Sequence, residues 1–368
     1  MLPLATIPAS HPALWGELEV RPAESLLAVA DATVLPPRPR RGTNNWWQRT
    51  RYGVFDAEGR HVRALNDMRG GRHICFPEST LEQCRYRPER LRKRELLLYG
   101  GSLYDHFGHL LVETARAYQL LREFRGSDEP IWFHDATPHR GNTLRLGFVQ
   151  QWLRCLGIRK RVKLVRRPLQ ARQLLSSVAL YNDRCFVNAA IQQACQAALK
   201  PRLRQRLEAL PARDRRLAYL SRHKLSGGSN HFAQEAQLVE RLAELPRVDV
   251  ICPEELSYEE KIGLYRRYAI ICGFPQSCMN LKLFTPGDAL AQQLLLIAGP
   301  KSLSSSWINI EHATGFGDLY LDCDQPQARA EHATPSRESG EQAGVSGFQR
   351  SHQFDLERVL AAIRQLAG

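Results

Sequence analysis

Four short segments of this chain combine residue types that do chemistry. The first is Tyr104-Asp105-His106-Phe107-Gly108-His109-Leu110-Leu111-Val112-Glu113-Thr114. On a helix, His106 and His109 are three apart and His109 and Glu113 four apart, so all three share a face. An imidazole beside a carboxylate can take up and return a proton at neutral pH. Two histidines and a carboxylate can equally ligate a metal with an open position. The plain alternative is a capped helix whose histidines satisfy local backbone groups. The second segment is Tyr219-Leu220-Ser221-Arg222-His223-Lys224, leading into a glycine-containing loop at 226–230. Two cations and a hydroxyl at a strand exit suit a diphosphate, although an exposed basic loop has the same composition. The third is Gly273-Phe274-Pro275-Gln276-Ser277-Cys278-Met279-Asn280. Its glycine lets a ligand approach the backbone closely, and N–H groups at the following helix start would point at an anion. An ordinary turn looks similar. The fourth is Asp322-Cys323-Asp324, an Asp-x-Asp that could hold a divalent metal on a nucleotide diphosphate. That spacing is common by chance.

These segments need strands and helices to hold them. LLLYGG (96–101) is a short apolar strand ending in paired glycines, and 106–124 carries apolar residues at helical spacing. A buried strand at 131–136 and a helix at 143–158 that stops near a glycine follow. VKLVRR and LLSSVALY supply further strands, and 187–209 reads as one long helix. The alternation restarts after Pro211, with strands at 217–222, 248–253, 269–274, 294–299 and 318–324. Helices lie between them, one opened by Ser257 with Glu260 three residues on, a capping box. Strands alternating with helices predict parallel sheets with helical cover. The expected organisation is a β-rich or irregular lead-in over 1–94 and two Rossmann-like domains at 95–210 and 211–324. A mobile loop at 325–352 and a closing helix at 353–368 complete it. Residues 104–114 then sit just after a Gly-ended strand and beside a helix N-terminus, where ligands bind in open α/β sheets.

Composition narrows the function. The 368 residues carry 51 Lys+Arg against 38 Asp+Glu, a formal charge of +13, and only eight of the basic residues are lysine. Arginine suits bidentate binding of phosphates and carboxylates. The charge gathers at Arg85–Arg94, at Arg159–Arg167 and at Arg213–Lys224. Solvated faces, an anionic membrane surface or a phosphorylated substrate fit such clusters. No nucleic-acid-binding module is recognisable, so nucleic acid is not an expected partner. Nine scattered cysteines without a CxxC pair argue for a reducing compartment and against a disulfide framework or structural zinc. No stretch approaches about 18 consecutive apolar residues, and residues 1–20 lack the pattern of a secretory signal. A cytoplasmic protein, in places peripheral on the inner membrane, is expected.

The ordered motifs resemble glycosyltransferase family 61. HFGHLLVETARAYQLL resembles the family's Gly-His pair opening a helix with an acidic residue four positions on. YLSR resembles its strand ending in Ser-Arg. Glu235 falls where the family has Asn-Glu, with Gln234 in place of the Asn. PEELSYEEKIGLYRRYAIICGF resembles the stretch before its buried Gly-ended strand, with Lys261 where Gln is usual. In PQSCMNLKLFTPG, Ser277, Asn280, Phe284 and Gly287 match and Gln276 replaces a small glycine.

The resemblance implies a GT-B-like architecture, two Rossmann-like domains facing a cleft. It also implies an inverting transfer from a nucleotide-sugar donor to a glycan or lipid-linked acceptor in capsule, lipopolysaccharide or exopolysaccharide assembly. No cofactor and no Asp-x-Asp-bound metal are implied. The base would be Glu113 or His109, oriented by His106 or Asp105. Arg222 and Lys224 would neutralise the leaving phosphate with N–H groups near Ser277, and Glu235 would bind ribose or orient Arg222. Ser221, Gly273, Gln276 and Asn280 would line the donor site. A metal-dependent hydrolase built on His106, His109 and Glu113, and a non-catalytic polysaccharide-assembly protein, are the rival readings.

Overall fold

The computed structural model describes residues 10–39, 50–66, 68–69, 72–73, 80–84, 91–136, 142–211, 214–287, 290–324 and 348–368. Trp46, Trp47, Arg85, Arg87, Arg90, Arg213 and residues 325–347 of the expected loop lie outside them. The chain forms two compact units. A central unit takes Glu17–Arg204 and His312–Thr314, and a C-terminal unit takes the described parts of Met1–Gly16, Gln205–Glu311 and Gly315–Gly368. The division falls at 204/205, a few residues before the expected boundary at Pro211.

The central unit is built on a six-stranded sheet of β1 (Leu27–Pro39), β2 (Thr50–Phe55), β3 (Arg92–Leu103), β4 (Ile131–Asp135), β5 (Val162–Leu164) and β6 (Leu169–Ser176). The order is β2-β1-β6-β3-β4-β5. β6, β3, β4 and β5 are parallel, and β1 and β2 extend the sheet antiparallel. The segment expected as a lead-in therefore supplies two strands of this sheet. Pro36 and Pro37 cannot donate to a ladder, and the β1–β2 register slips there, between Leu35 and Arg38. β3 is exposed at its RKRE start and buried from Leu97 onward, as a strand covered on both faces must be. On β4, the fully buried His134 accepts from Tyr99 Oη at 2.7 Å through Nδ1 and donates to the Leu35 carbonyl at 2.8 Å through Nε2. Burial drives its pKa down to about 3, so the ring is neutral.

The helix expected over 106–124 is broken. It forms α1 (Phe107–Val112) and α2 (Ala115–Glu123), with the turn at Glu113-Thr114. Side-chain hydroxyls take the carbonyls released by the break. Thr114 Oγ1 donates to the Leu110 carbonyl, and Tyr118 Oη donates to the Leu111 carbonyl at 2.7 Å. Trp152 of α3 (Gly147–Leu156) donates its indole N–H to Tyr118 Oη at 3.1 Å, in the core. α3 ends at Gly157 with φ +75°, as its glycine predicts. The long helix expected over 187–209 is also divided, into α4 (Ile191–Ala198) and α5 (Pro201–Glu208), with Phe186–Asn188 a short strand. Pro201 forces the division, because proline starts helices readily but ends those that precede it.

The C-terminal unit carries a five-stranded, all-parallel sheet of β7 (Asp214–Leu220), β9 (Val248–Ile251), β10 (Tyr268–Gly273), β11 (Gln292–Ile297) and β12 (Leu319–Asp322), in the order β9-β7-β10-β11-β12. Strand β8 (Gly228–Phe232) pairs in parallel with β13 (Phe348–His352). Helices α6 (Glu235–Ala243), α7 (Tyr258–Arg267), α8 (Ser305–Thr314) and α9 (Leu356–Ala367) follow the alternation. The Ser257–Glu260 capping box opens α7, each side chain bonding the other residue's backbone N–H. The closing helix joins the core: Phe354, Val359, Leu360 and Ile363 pack with Leu238, Phe274, Leu294 and Leu296.

The expected helix after β10 is a 3₁₀ segment, Ser277–Phe284. Its Met279 carbonyl is held by Tyr265 Oη and Gln293 Nε2, each at 3.0 Å. Beneath it, the buried Lys282 ammonium donates to Asp318, and 4.2 Å separates it from the Phe316 ring centroid. This is the kind of pairing a buried cation requires. No helix among the described residues is long and apolar enough to cross a membrane.

Candidate active site

The central unit places its chemistry at the carboxyl end of β3. Gly101 (φ +84°) and the buried Tyr104 bring the chain out of the strand, and α1 starts with His106 at its N-cap. His109 Nδ1 lies 2.7 Å from Glu113 Oε1. The i,i+4 spacing read from the sequence thus survives, because α1 runs far enough for the Glu113 N–H to reach the His109 carbonyl at 2.9 Å. The Glu113 side chain is 5% exposed and that of His109 is 18% exposed, so the ring is the more accessible partner. The His106 ring stands 4.7 Å from that of His109, and the Tyr104 ring 5.9 Å. His106 is exposed and Asp105 half-buried beside it. Tyr104 is a neighbour that spacing alone did not single out.

The C-terminal unit places a different arrangement at the carboxyl end of β7. Glu235, the first residue of α6, is buried and collects three donors on Oε1. They are the Arg222 N–H at 2.8 Å, Tyr219 Oη at 3.1 Å and Ser221 Oγ at 3.3 Å. Burial pushes its carboxyl up from the usual glutamate range, against these hydrogen bonds. Ser221 Oγ also lies 2.7 Å from His223 Nδ1. Arg222 itself has its Nε buried without a hydrogen-bond partner, and desolvation lowers its pKa. A guanidinium held this way is poised for an anion. Lys224 instead donates to Glu255 at 2.7 Å in an exposed pair.

The next strand supplies the floor. A Cβ at Gly273 would lie 2.9 Å from the Leu220 carbonyl, so only glycine lets β10 pass β7 this closely. Gln276 Nε2 donates to that same carbonyl at 2.7 Å, and its Oε1 takes the Cys278 thiol at 3.3 Å. Ser277, half-buried, opens the 3₁₀ segment, and Asn280 is buried within it. Gly273, Gln276, Ser221 and Arg222 are therefore brought together. The half-buried Lys261 ammonium, its pKa lowered by burial, lies within electrostatic reach of Cys278, as does Arg222. The sequence marked Lys261 only as a departure, and its desolvation is visible only once α7 is packed.

Residues 107–289 match the family model described as Glycosyltransferase 61. The chain belongs to glycosyltransferase family 61. No curated protein matches it. The family region spans both arrangements, from α1 through the 3₁₀ segment, and so contains His109, Glu113, Arg222, Glu235 and Ser277. The three family 61 departures all have structural work. Gln276 ties the β10 exit to β7, Gln234 Oε1 accepts the Phe354 N–H at 3.2 Å, and Lys261 faces the segment that follows Gln276.

The Asp-x-Asp segment lies beyond the family region. Asp322 Oδ2 is 3.2 Å from His11 Nε2, and its Oδ1 accepts the Asp324 N–H at 3.1 Å. Among the described residues, the acidic, thiol and imidazole atoms that converge closely enough for a metal are those of Glu17, Glu19 and Cys185. There Glu19 pairs with Arg21 at 2.8 Å, and burial helps push the Cys185 thiol up to about 11.

Proposed function

We propose that this family 61 protein is an inverting, metal-independent glycosyltransferase of GT-B type. It moves a sugar from a nucleotide-sugar donor to a glycan or lipid-linked acceptor in surface-polysaccharide assembly, working at the cytoplasmic face of a membrane. The 2.7 Å pair of His109 and Glu113 carries the reading. With Nδ1 engaged by a nearly buried carboxylate, Nε2 of His109 is the nitrogen that takes the acceptor hydroxyl proton. Glu113 fixes the ring and stabilises the imidazolium that forms, the division of labour familiar from hydrolytic triads. The sequence left the base between Glu113 and His109; the exposure of the ring favours His109, with His106 and Asp105 beside it. The deprotonated acceptor oxygen attacks the anomeric carbon as its bond to the nucleotide phosphate breaks. The departing charge falls to Arg222 and to N–H groups at Ser277. Glu235 orients Arg222 through its backbone, and Asn280 and Gln276 shape the same donor floor.

The test is a thermal-shift screen of the full chain against UDP-, GDP-, CMP- and dTDP-linked sugars, with and without chelator. One nucleotide class should stabilise the protein, chelator should leave that shift unchanged, and Arg222→Ala should abolish it. Destabilisation by chelator alone would instead favour a metal-dependent hydrolase at His106, His109 and Glu113. Silence towards every nucleotide would favour a non-catalytic assembly protein.

A further inference from the structure

The sheet of the C-terminal unit reverses its strand order once. β9 lies on one side of β7 and β10 on the other. The switch point, where open α/β sheets hold ligands, therefore falls between the exits of β7 and β10. Arg222 follows one exit and Gln276 the other. Gln276 ties them together, donating to the Leu220 carbonyl and accepting from the Cys278 thiol. A second cation reaches this point from α7. That helix returns the chain from the carboxyl end of β9 to the start of β10, so its first turn lies at the edge where β7 and β10 end. α7 packs along the 3₁₀ segment: Tyr265 Oη donates to the Met279 carbonyl at 3.0 Å, and Thr285 Oγ1 to the Ile262 carbonyl at 3.2 Å. Lys261 stands one turn before Tyr265 on the same face, which sets it beside Cys278, the residue before Met279. Its Nζ is 5.4 Å from the Tyr258 ring centroid. Lys261 and Arg222 both act on Cys278 and on the exposed Glu254, and burial lowers the pKa of each. The other carboxylates that reach them are committed to backbone, Glu235 to the Arg222 N–H and Glu260 to the Ser257 N–H. Two desolvated cations thus flank one hydrogen-bonded strip, Leu220–Gln276–Cys278, at the switch point.

We propose that Lys261 is a specificity-determining residue of the donor site, forming with Arg222 a two-cation clamp in which its ammonium takes the second phosphate of a diphosphate. The proposal rests on the donor site of the transfer reading and adds to it a residue that counts phosphates. The division suits the two side chains. A guanidinium grips one phosphate with a planar fork, and an ammonium meets the next as a compact point charge. Glutamine, the usual residue at this place in the family motif, hydrogen-bonds without neutralising charge. Lys261→Gln therefore removes the charge while keeping a polar side chain.

The experiment is calorimetry of the full chain with inorganic pyrophosphate and orthophosphate, and with the pairs UDP and UMP, GDP and GMP, and dTDP and dTMP. The variants are Lys261→Gln, Lys261→Arg and, as a control, Arg241→Gln, whose cation pairs with Glu357. Wild type should prefer pyrophosphate to orthophosphate. Lys261→Gln should weaken pyrophosphate and nucleoside diphosphate binding about tenfold, the scale of one charge-assisted hydrogen bond. Monophosphate binding should stay near wild type, so the preference collapses. Lys261→Arg should keep the preference, and Arg241→Gln should change nothing. A merely structural role for Lys261 would weaken both members of each pair alike, and that result overturns the clamp. So does unchanged diphosphate affinity in Lys261→Gln, or no binding of pyrophosphate and of every nucleoside diphosphate. A loss confined to UDP-glucuronate, with UDP-glucose spared, would assign the ammonium to a sugar carboxylate and overturn it too. The nucleotide-sugar thermal shift is read on the same samples. A retained shift with no effect of Lys261→Gln on diphosphates defeats the clamp alone. A Lys261-dependent pyrophosphate preference without any nucleotide-sugar shift defeats the transfer reading alone.

Discussion

The two strand exits that the family region brings into play both sit at the carboxyl end of a strand paired in parallel with its neighbours, yet they use a buried carboxylate for opposite ends. In the central unit, Glu113 holds a side chain: it grips His109 Nδ1 and leaves the rest of the imidazole accessible. In the C-terminal unit, Glu235 holds backbone: it grips the Arg222 N–H, with Tyr219 and Ser221 alongside, and leaves a desolvated guanidinium without a partner at Nε. In the proposed transfer, one exit handles a proton and the other a negative charge. On that reading, the carboxylate in each is the support and the neighbouring nitrogen meets the substrate.

The sharpest way to break this comparison is to remove the nitrogens. His109→Ala should lower kcat by about 10³ while the nucleotide-induced thermal shift stays intact. A kcat within a few-fold of wild type would return the base role to Glu113. The supports come next. Glu235→Ala leaves three donors without their acceptor, and urea unfolding should show a loss of about 2–4 kcal/mol; Glu235→Gln should recover part of it. Arg222→Ala should weaken donor binding about 10- to 100-fold by calorimetry, the usual range for a charge-assisted hydrogen bond, with stability little changed.

The smallest effect concerns pH, and the two units should respond with opposite sign. His134 in the central unit has a folded pKa of about 3, below its ordinary value. The unfolded chain therefore binds a proton that the folded one refuses, and stability falls as pH drops below about 6.5. The loss is about 1.4 kcal/mol per pH unit, or about 2 kcal/mol by pH 5. Glu235 in the C-terminal unit is raised, so its contribution is present below the usual glutamate range and is lost as pH rises through its folded value. Urea melts of wild type and His134→Gln at pH 7 and 5 should show the acid slope only in the wild type.

Much of this was legible in the sequence, and the exceptions have physical causes. The alternation of strand and helix after Glu95 is a matter of period, and period shows in one dimension. The capping box at Ser257 is local, and it is present. The dyad of His109 and Glu113 was readable because both residues sit within one helical turn. The break at Thr114 was not, because it depends on Tyr118 and Trp152 meeting across the core. The two strands from the first 94 residues were obscured because Pro36 and Pro37 look like loop. The burial of Glu235 and Lys261 is likewise a property of packing, and no spacing announces it. Lys224, by contrast, looks like a phosphate ligand in sequence, yet its ammonium is drawn to Glu255, a partner 31 residues on.

The break between α1 and α2 also bears on how such an enzyme diversifies. The carbonyls at the end of α1 are held by two hydroxyls and, through one of them, by an indole. The helix that carries the proposed base is thus tethered through Thr114, Tyr118 and Trp152. Changes among these three residues can retilt His109 by fractions of an ångström while every residue facing the substrate stays as it was. Selection for a new acceptor could therefore work from inside the core, on residues that no comparison of active-site linings would bring to notice.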